Sequence, residues 1–435
     1  MGQENAERPP NVIIIFVDDM GYADVSCYGN KRIETPHIDA LAKSGVRCTN
    51  GYVSAPQCAP SRAGLLTGKY QQRFGFYYNP KPGAHTVLPL AEKTVADHMK
   101  AAGYVTGMIG KWHLGFSEKA HPCQRGFDEF FGNLGGFFPY LPPTDMDRNG
   151  KKEKETAYAT AAFSREAVKF IRKHSNKPFF LYLPYNAPHG PLQATEALLE
   201  RVAHIKGQTQ RTYAAMTLAI DDGVGAIVKT MKEKGLEEKT LIFFISDNGA
   251  TKKYGSNIGS NLPHRAFKGS VFDGGIRVPF IASWKGKIPA GTTYVQPIMH
   301  FDATATALQL AGVDPDGLDG VDLMPFLNGK DKSAPHEALF WKMNNFGVEQ
   351  HGQEWQWAVR QGDWKAVVTR GSDLLLFNLK ADLAETKDLA AAQPERAKAL
   401  KSAYETWCKT HSPPRWPPYS RHGSKKPKKR RKNSS

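Results

Sequence analysis

Three short, uninterrupted apolar runs stand out along the chain: Val12-Ile-Ile-Ile-Phe-Val17, Pro178-Phe-Phe-Leu-Tyr-Leu183 and Thr240-Leu-Ile-Phe-Phe-Ile-Ser246. Runs of this length without polar alternation predict strands buried on both faces, as in a parallel sheet covered by helices. Each run breaks at once into polar residues: Asp18-Asp19, Asn186-Ala-Pro-His189 and Asp247-Asn248. Between them, Ala161 to His174 and Tyr213 to Lys234 read as helices. Strands alternating with helices predict an α/β sandwich, and ligands of such sheets gather at the carboxyl ends of the strands.

The texture changes near Glu337. Trp355-Gln-Trp-Ala-Val-Arg360, Trp364-Lys-Ala-Val-Val-Thr369 and Leu374-Leu-Leu-Phe-Asn378 are short strand-like runs separated by Gly-containing turns, the pattern of an antiparallel meander. Residues 394–409 follow as one amphipathic helix with Ala397, Leu400, Tyr404 and Trp407 on its apolar face. The expected organisation is therefore a large domain over 1–335, a smaller α+β unit over 336–420 and a tail over 421–435, with no internal repeat. A chain of 435 residues is long enough to bury a core without disulfide staples. No run of about 18 apolar residues occurs, so no transmembrane helix is expected, and the first ten residues hold no apolar signal segment.

The net charge of +16 is unevenly placed. Residues 421–435 carry eight basic side chains and no acid, leaving +8 for the rest. Such a run repels itself and stays solvated, or it tethers the protein to a polyanion such as a sulfated glycan. The five cysteines, Cys27, Cys48, Cys58, Cys123 and Cys408, leave both free thiols and one disulfide open.

Two constellations carry chemistry. Asp18, Asp19, Asp247 and Asn248 end two buried strands and could converge on one point, where clustered carboxylates call for a divalent cation. Oxygen-only ligation points to Ca²⁺ or Mg²⁺ rather than zinc, although Asp and Asn also serve as plain turn and cap residues. Cys58-Ala-Pro-Ser-Arg62, extended by Ala63-Gly-Leu-Leu-Thr-Gly68, suggests a helix starting at Pro60-Ser61 that aims N–H groups and Arg62 toward Cys58.

Cys-x-Pro-Ser-Arg followed by Leu-Leu-Thr-Gly resembles the signature of the type I, formylglycine-dependent sulfatases of the alkaline phosphatase superfamily. Further blocks resemble the same family in the same order: Asn11 to Gly21, Gly110-Lys-Trp-His-Leu-Gly115, Ala187-Pro-His-Gly-Pro191, Ser246-Asp-Asn-Gly249, and Phe267-Lys-Gly269 with Gly274-Gly-Ile-Arg-Val-Pro279. The resemblance spans roughly residues 11–412. It implies an alkaline phosphatase-like fold, with a large, mixed, mostly parallel sheet between helices and a smaller C-terminal antiparallel unit.

It also implies an activity and a site. Cys58 would be oxidised by a formylglycine-generating enzyme, and the hydrated aldehyde would attack sulfur with one hydroxyl and expel sulfate with the other. Asp18, Asp19, Asp247 and Asn248, with residue 58, would hold Ca²⁺ or Mg²⁺. Arg62 and Lys111 would support the diol. Asp247 would take the attacking hydroxyl's proton and His113 the second hydroxyl's proton. His189 and Lys268 would contact the sulfate ester, with His189 as the acid for the leaving oxygen. One mild departure is Phe272-Asp273 before Gly274-Gly275, where relatives more often carry an aromatic and Glu, and it touches no assigned catalytic role. A periplasmic or extracellular location and a sulfated carbohydrate substrate, of galactan or glycosaminoglycan type, follow from the same resemblance. A membrane partner and nucleic acid do not.

Specificity should lie in loops at the strand ends: Arg73 to His85 with Tyr77, Tyr78 and Asn79, Phe137 to Tyr140, and Lys252 to Arg265 with Lys253 and His264. Two alternatives remain at this stage, a phosphonate monoester or phosphodiester hydrolase of the same superfamily and a non-catalytic polyanion-binding protein.

Overall fold

The computed structural model describes residues 8–81, 86–253, 256–344, 355–369 and 371–417. His85, the side chain of Lys253 and the basic segment 421–435 lie outside the described residues.

The strand Asn11–Asp18 is the spine of the molecule, and every residue in it is buried. Its side chains alternate between two cores. Val12, Ile14 and Phe16 enter one hydrophobic cluster, whereas Ile13, Ile15 and Val17 enter another on the opposite face. That explains the uninterrupted apolar run: neither face meets water, and each such side chain contributes about 1.5–3 kcal/mol on burial. The strands Phe179–Pro188 and Thr240–Ser246 flank it, both parallel to it.

These three strands form the centre of a ten-stranded sheet. Its order is Thr292–Tyr294, Val46–Cys48, Phe280–Ser283, Thr240–Ser246, Asn11–Asp18, Phe179–Pro188, Val105–Lys111, Glu129–Asn133, Thr144–Arg148, Lys151–Glu155. The five strands from Thr240–Ser246 to Glu129–Asn133 run parallel, and antiparallel pairings appear on both sides of them. The expected α/β sheet between helices is thus the observed fold. Helices Ala159–Lys173 and Gln208–Glu233 cover one face, and Cys58–Thr67, Val95–Ala101 and Asp302–Leu310 contribute to the cluster on the other. The second helix of the first face starts five residues before the expected Tyr213.

A separate four-stranded antiparallel sheet follows: Leu339–Asn344, Trp355–Gln361, Trp364–Val368 and Leu375–Asn378. Its edge strand Leu339–Asn344 was not anticipated, although its burial alternates strictly. The helix Pro394–Cys408 packs on this sheet through the four predicted side chains, all buried. Trp357 stacks on Tyr404 with ring centroids 4.1 Å apart and planes 7° from parallel. The inner face of the small sheet shares one hydrophobic cluster with the large sheet, since Trp341, Ala358 and Val367 belong with Phe16 and Phe243. No helix among the described residues is long and apolar enough to cross a membrane.

Candidate active site

Parallel strands end together, and so do their polar termini. Val17 pairs with Ser246, which sets Asp18-Asp19 beside Asp247-Asn248 at one edge of the sheet. Asp19 lies in the left-handed region with φ of 65°, a strained conformation for a residue with a side chain. It is held there because its N–H donates to Asp247 Oδ1 at 3.1 Å, and its own Oδ1 accepts from Asn248 Nδ2 at 2.7 Å.

Cys58 opens the helix Cys58–Thr67, with Gln57 as the N-cap. The start lies two residues earlier than Pro60-Ser61. Ser61 N–H donates to Gln57 O at 3.1 Å, and Pro60 falls in the first turn, where a missing N–H leaves nothing unpaired. Every residue of this helix is buried. His300 fastens it from beneath, donating from Nε2 to Ser61 O at 2.7 Å, and burial pushes the His300 pKa down to about 3 so that the ring is neutral.

The two parts meet. Ligand atoms of Asp18, Asp19, Cys58 and His189 all lie within 4.8 Å of one another. Cys58 Sγ is 3.4 Å from Asp18 Oδ1 and accepts from Lys268 Nζ at 2.8 Å. Lys268 also pairs with Asp19, and Lys111 with Asp18, in close contacts. Arg62 binds Asp247 Oδ2 at 2.7 Å and approaches Asp18 Oδ2 at 3.5 Å, with all three side chains fully buried. His189 Nδ1 donates to Gly190 O at 2.6 Å, which turns Nε2 toward Asp19 Oδ2, 3.8 Å away. Tyr140 fixes this loop by donating from its hydroxyl to His189 O at 2.7 Å. His113, also left-handed with φ of 59°, is buried with its ring against Gly136, where even a Cβ would collide.

The electrostatics are those of crowded charge in a dry site. Burial opposes ionisation of Asp18, but Lys111, His189, Arg62 and Lys268 hold its carboxyl well below the usual range. Burial and the neighbouring Asp18 charge push Asp247 up to about 7. Burial, aided by Lys111 and Arg62, drives the His113 pKa well down, so its imidazole is neutral at pH 7. Burial also raises the Cys58 thiol to about 12, with Asp18 adding to the shift. An unmodified Cys58 is therefore a thiol at neutral pH and a poor nucleophile.

A divalent cation fits this site. Asn248 Oδ1 is buried without a hydrogen-bond partner, on a side chain whose Nδ2 donates to the Asp19 carboxylate, and Asp19 in turn donates from its N–H to Asp247. An orphaned carbonyl among acidic oxygens is an electron-donor set for a hard ion. Lys111 and Lys268 neutralise part of that charge. Of the expected ligands, Asp18, Asp19 and Cys58 form one close group, His189 joins it, and Asp247 lies outside it.

The specificity loops divide. Arg73 is committed to Asp319, at 2.7 and 2.5 Å. Tyr77 and Tyr78 are buried against Trp355, and Asn79 Oδ1 accepts from Ala59 N–H at 3.1 Å. His264 is buried edge-on to Tyr22, and Arg265 lies over Phe272 and donates to Glu385 O. Tyr77, Tyr78 and His264 are buried and build the walls, whereas Arg73 and Asn79 are half-buried and Arg265 stays exposed with its guanidinium engaged. Phe137 is different. It is 63 % exposed and its ring stands edge-on to His189, with centroids 6.3 Å apart. All five cysteines are free.

The family model described as "Sulfatase" matches residues 10–313, and one described as "N-sulphoglucosamine sulphohydrolase, C-terminal" matches residues 264–406. The chain is 35 % identical over 361 residues to N-acetylgalactosamine-6-sulfatase of Canis lupus familiaris, covering 76 % of this chain and 68 % of that protein. It is 33 % identical over 452 residues to arylsulfatase A of Homo sapiens, covering 91 % and 87 % respectively. Among solved structures, Ps i-CgsB in complex with k-i-k-neocarrahexaose superposes with a TM-score of 0.89 at 36 % identity, covering 94 % of this chain and 95 % of that one.

Proposed function

The chain belongs to the sulfatase family, as a type I sulfatase of the alkaline phosphatase superfamily and a sulfuric ester hydrolase, and on that premise we propose that it removes sulfate from a sulfated carbohydrate through a formylglycine at position 58. The observation that carries this reading is the convergence of Asp18, Asp19, Cys58 and His189 within 4.8 Å, with Lys268 Nζ 2.8 Å from Cys58 Sγ. On the same reading residues 1–335 form the catalytic unit and 336–420 a C-terminal α+β unit, and the protein works in the periplasm or outside the cell.

Cys58, converted by a formylglycine-generating enzyme, supplies a hydrated aldehyde whose two hydroxyls serve attack and release in turn. Asp18, Asp19, Asp247 and Asn248, with residue 58, would hold Ca²⁺ or Mg²⁺, which when bound neutralises sulfate oxygens and acidifies the nucleophile. Asp247, set beside Asp18-Asp19 by the strand pairing and bound to Arg62, is the residue we assign to accept the proton of the attacking hydroxyl. Arg62 and Lys111 hold the nucleophile's surroundings cationic. Lys268 grips the ester oxygens. His189, with Nδ1 donating to Gly190 O, presents only Nε2 to the leaving oxygen and acts as the acid there as the imidazolium, the form that burial opposes and the charges of Asp18 and Asp19 favour. Neutral His113 is ready to take the second hydroxyl's proton when sulfate departs.

The carbohydrate part of the proposal is supported by Phe137. An exposed aromatic ring beside the proposed acid is a platform for the apolar face of a sugar, and the carrageenan-oligosaccharide complex of Ps i-CgsB is a protein of the same fold at 36 % identity. Phe137→Ala is expected to lower kcat/KM on a sulfated oligosaccharide by roughly tenfold, mostly through KM, as loss of one stacking contact predicts. An unchanged KM removes Phe137 from the substrate site. Turnover of an aryl sulfate and the matching aryl phosphonate, measured side by side, tests the reaction class. Sulfate is expected to be preferred, and a strong phosphonate preference overturns the reading.

A further inference from the structure

The turn that carries Lys268 is built by backbone contacts from two directions and a side chain from a third. Lys268 N–H donates to Ala250 O at 3.1 Å, just beyond Asp247-Asn248, and Gly269 N–H donates to Pro56 O at 2.8 Å, two residues before Cys58. Ser270 N–H closes the turn on Phe267 O at 3.1 Å, and Gly269 adopts φ of 87°, a conformation that favours glycine. The third hold comes from the small C-terminal sheet. Gln356 donates from Nε2 to Gly269 O at 2.8 Å and accepts at Oε1 from Val271 N–H at 3.2 Å. Its amide therefore spans both sides of the turn whose next residue back is Lys268.

The strand around Gln356 explains why it points inward. In Trp355–Gln361 alternate residues face the large sheet, and Gln356, Ala358 and Arg360 share that face. Arg360 bonds Tyr52 and Asn50, and Trp341 on the neighbouring strand donates from Nε1 to Val53 O at 2.7 Å. Lys365, paired in register with Arg360, reaches Asp273 at 2.6 Å and Glu385 at 2.8 Å, wholly buried. Asp273, part of the departure from the family pattern, is thus anchored beneath the same segment, where Tyr52 and Arg277 also hold it. The inner face of the small sheet grips the two stretches that flank Cys58 and Lys268.

We infer that Gln356 is a positioning residue for the reaction: by clamping Gly269 O and Val271 N–H it fixes the height at which Lys268 Nζ meets residue 58 and Asp19. The clamped carbonyl belongs to the Gly269–Ser270 peptide, one peptide beyond Lys268, so a shift of the turn at Gly269 carries the backbone that bears the ammonium with it. A lysine shifted from the oxyanion it must stabilise loses transition-state stabilisation rather than ground-state binding. The inference rests on the reading of Lys268 as a sulfate-contacting group.

The test uses the full-length, formylglycine-bearing protein with four variants: Gln356→Leu, Gln356→Glu, Lys268→Ala and the double variant Lys268→Ala/Gln356→Glu. Gln356→Glu keeps the size and the acceptor for Val271, loses the donors to Gly269 O and Met343 Sδ and adds a carboxyl, whereas Gln356→Leu removes both bonds without charge, so a loss shared by the two variants belongs to the clamp. Kinetics on an aryl sulfate are paired with thermal melting. Gln356→Glu and Gln356→Leu are both expected to melt above the assay temperature yet lose roughly tenfold in kcat, with KM changed less than about threefold. In the Lys268→Ala background the same change is expected to cost less than about threefold, since the clamp then has nothing left to place. An equal loss in both backgrounds, or a parental kcat in Gln356→Glu, overturns the inference. Full activity in Lys268→Ala overturns the reading of Lys268 itself, which keeps the two failures apart.

Discussion

Cys58→Ala protein is expected to fold and to lose sulfate-ester turnover by on the order of 10⁴-fold or more, the scale on which removal of a covalent nucleophile acts. The fold should survive because Cys58 sits in the first turn of its helix, where alanine is a good helix former and the side chain carries no structural bond beyond the contacts to Asp18 and Lys268. The same loss is expected for wild-type chain made without the formylglycine-generating enzyme. Burial lifts its thiol to about 12, so almost none is thiolate at neutral pH. Intact mass of the peptide containing residue 58 separates converted from unconverted protein, and activity should track the converted fraction. Turnover in Cys58→Ala protein at the parental level would remove the proposed chemistry altogether.

Asp18 is expected to have the second largest effect, because it serves both charge balance and ion binding. It ends the central strand fully buried and faces Lys111, Arg62 and Lys268. Asp18→Ala strands the buried Lys111 ammonium without its carboxylate, a change that costs about 3–5 kcal/mol when one member of a buried pair is lost. Asp18→Asn keeps the shape and isolates the electrostatic part. Parent protein at Ca²⁺ about a hundredfold above its dissociation constant should gain about 2.7 kcal/mol of stability by mass action, seen as a raised melting temperature. Asp18→Asn should show little of that shift and should lose at least about 10³-fold in turnover, on the scale of removing a charge that acts in the transition state. Calorimetric titration that gives parental Ca²⁺ affinity in Asp18→Asn protein would exclude Asp18 from the ion site, whatever the activity.

Much of the site was legible in the chain because its residues sit immediately after buried strands. The apolar run 12–17 must end where the sheet ends, and Asp18-Asp19 is the first place where a charge can stand; the same holds for Asp247-Asn248. Parallel pairing of the two strands then brings the pairs together without further information. The loops were not legible in this way. Tyr77, Tyr78 and His264 carry side chains suited to sugars and anions, yet packing against Trp355 and Tyr22 buries them. Phe137 has the same character and stays exposed. Only neighbours distant in the chain distinguish the two outcomes.

Local periodicity and short motifs therefore carried the α/β sheet, the C-terminal meander with its helix, and the family to which the chain belongs, because strand burial and a helix-borne signature depend on residues close together. Three-dimensional packing decided the rest: that His189 turns Nε2 toward Asp19, that His300 props the helix of Cys58, and that Gln356 reaches across 87 positions to hold Gly269. Those contacts join segments whose separation in the chain is set by topology, and a side chain's partners at such range are fixed by which surfaces the folded sheets bring into contact.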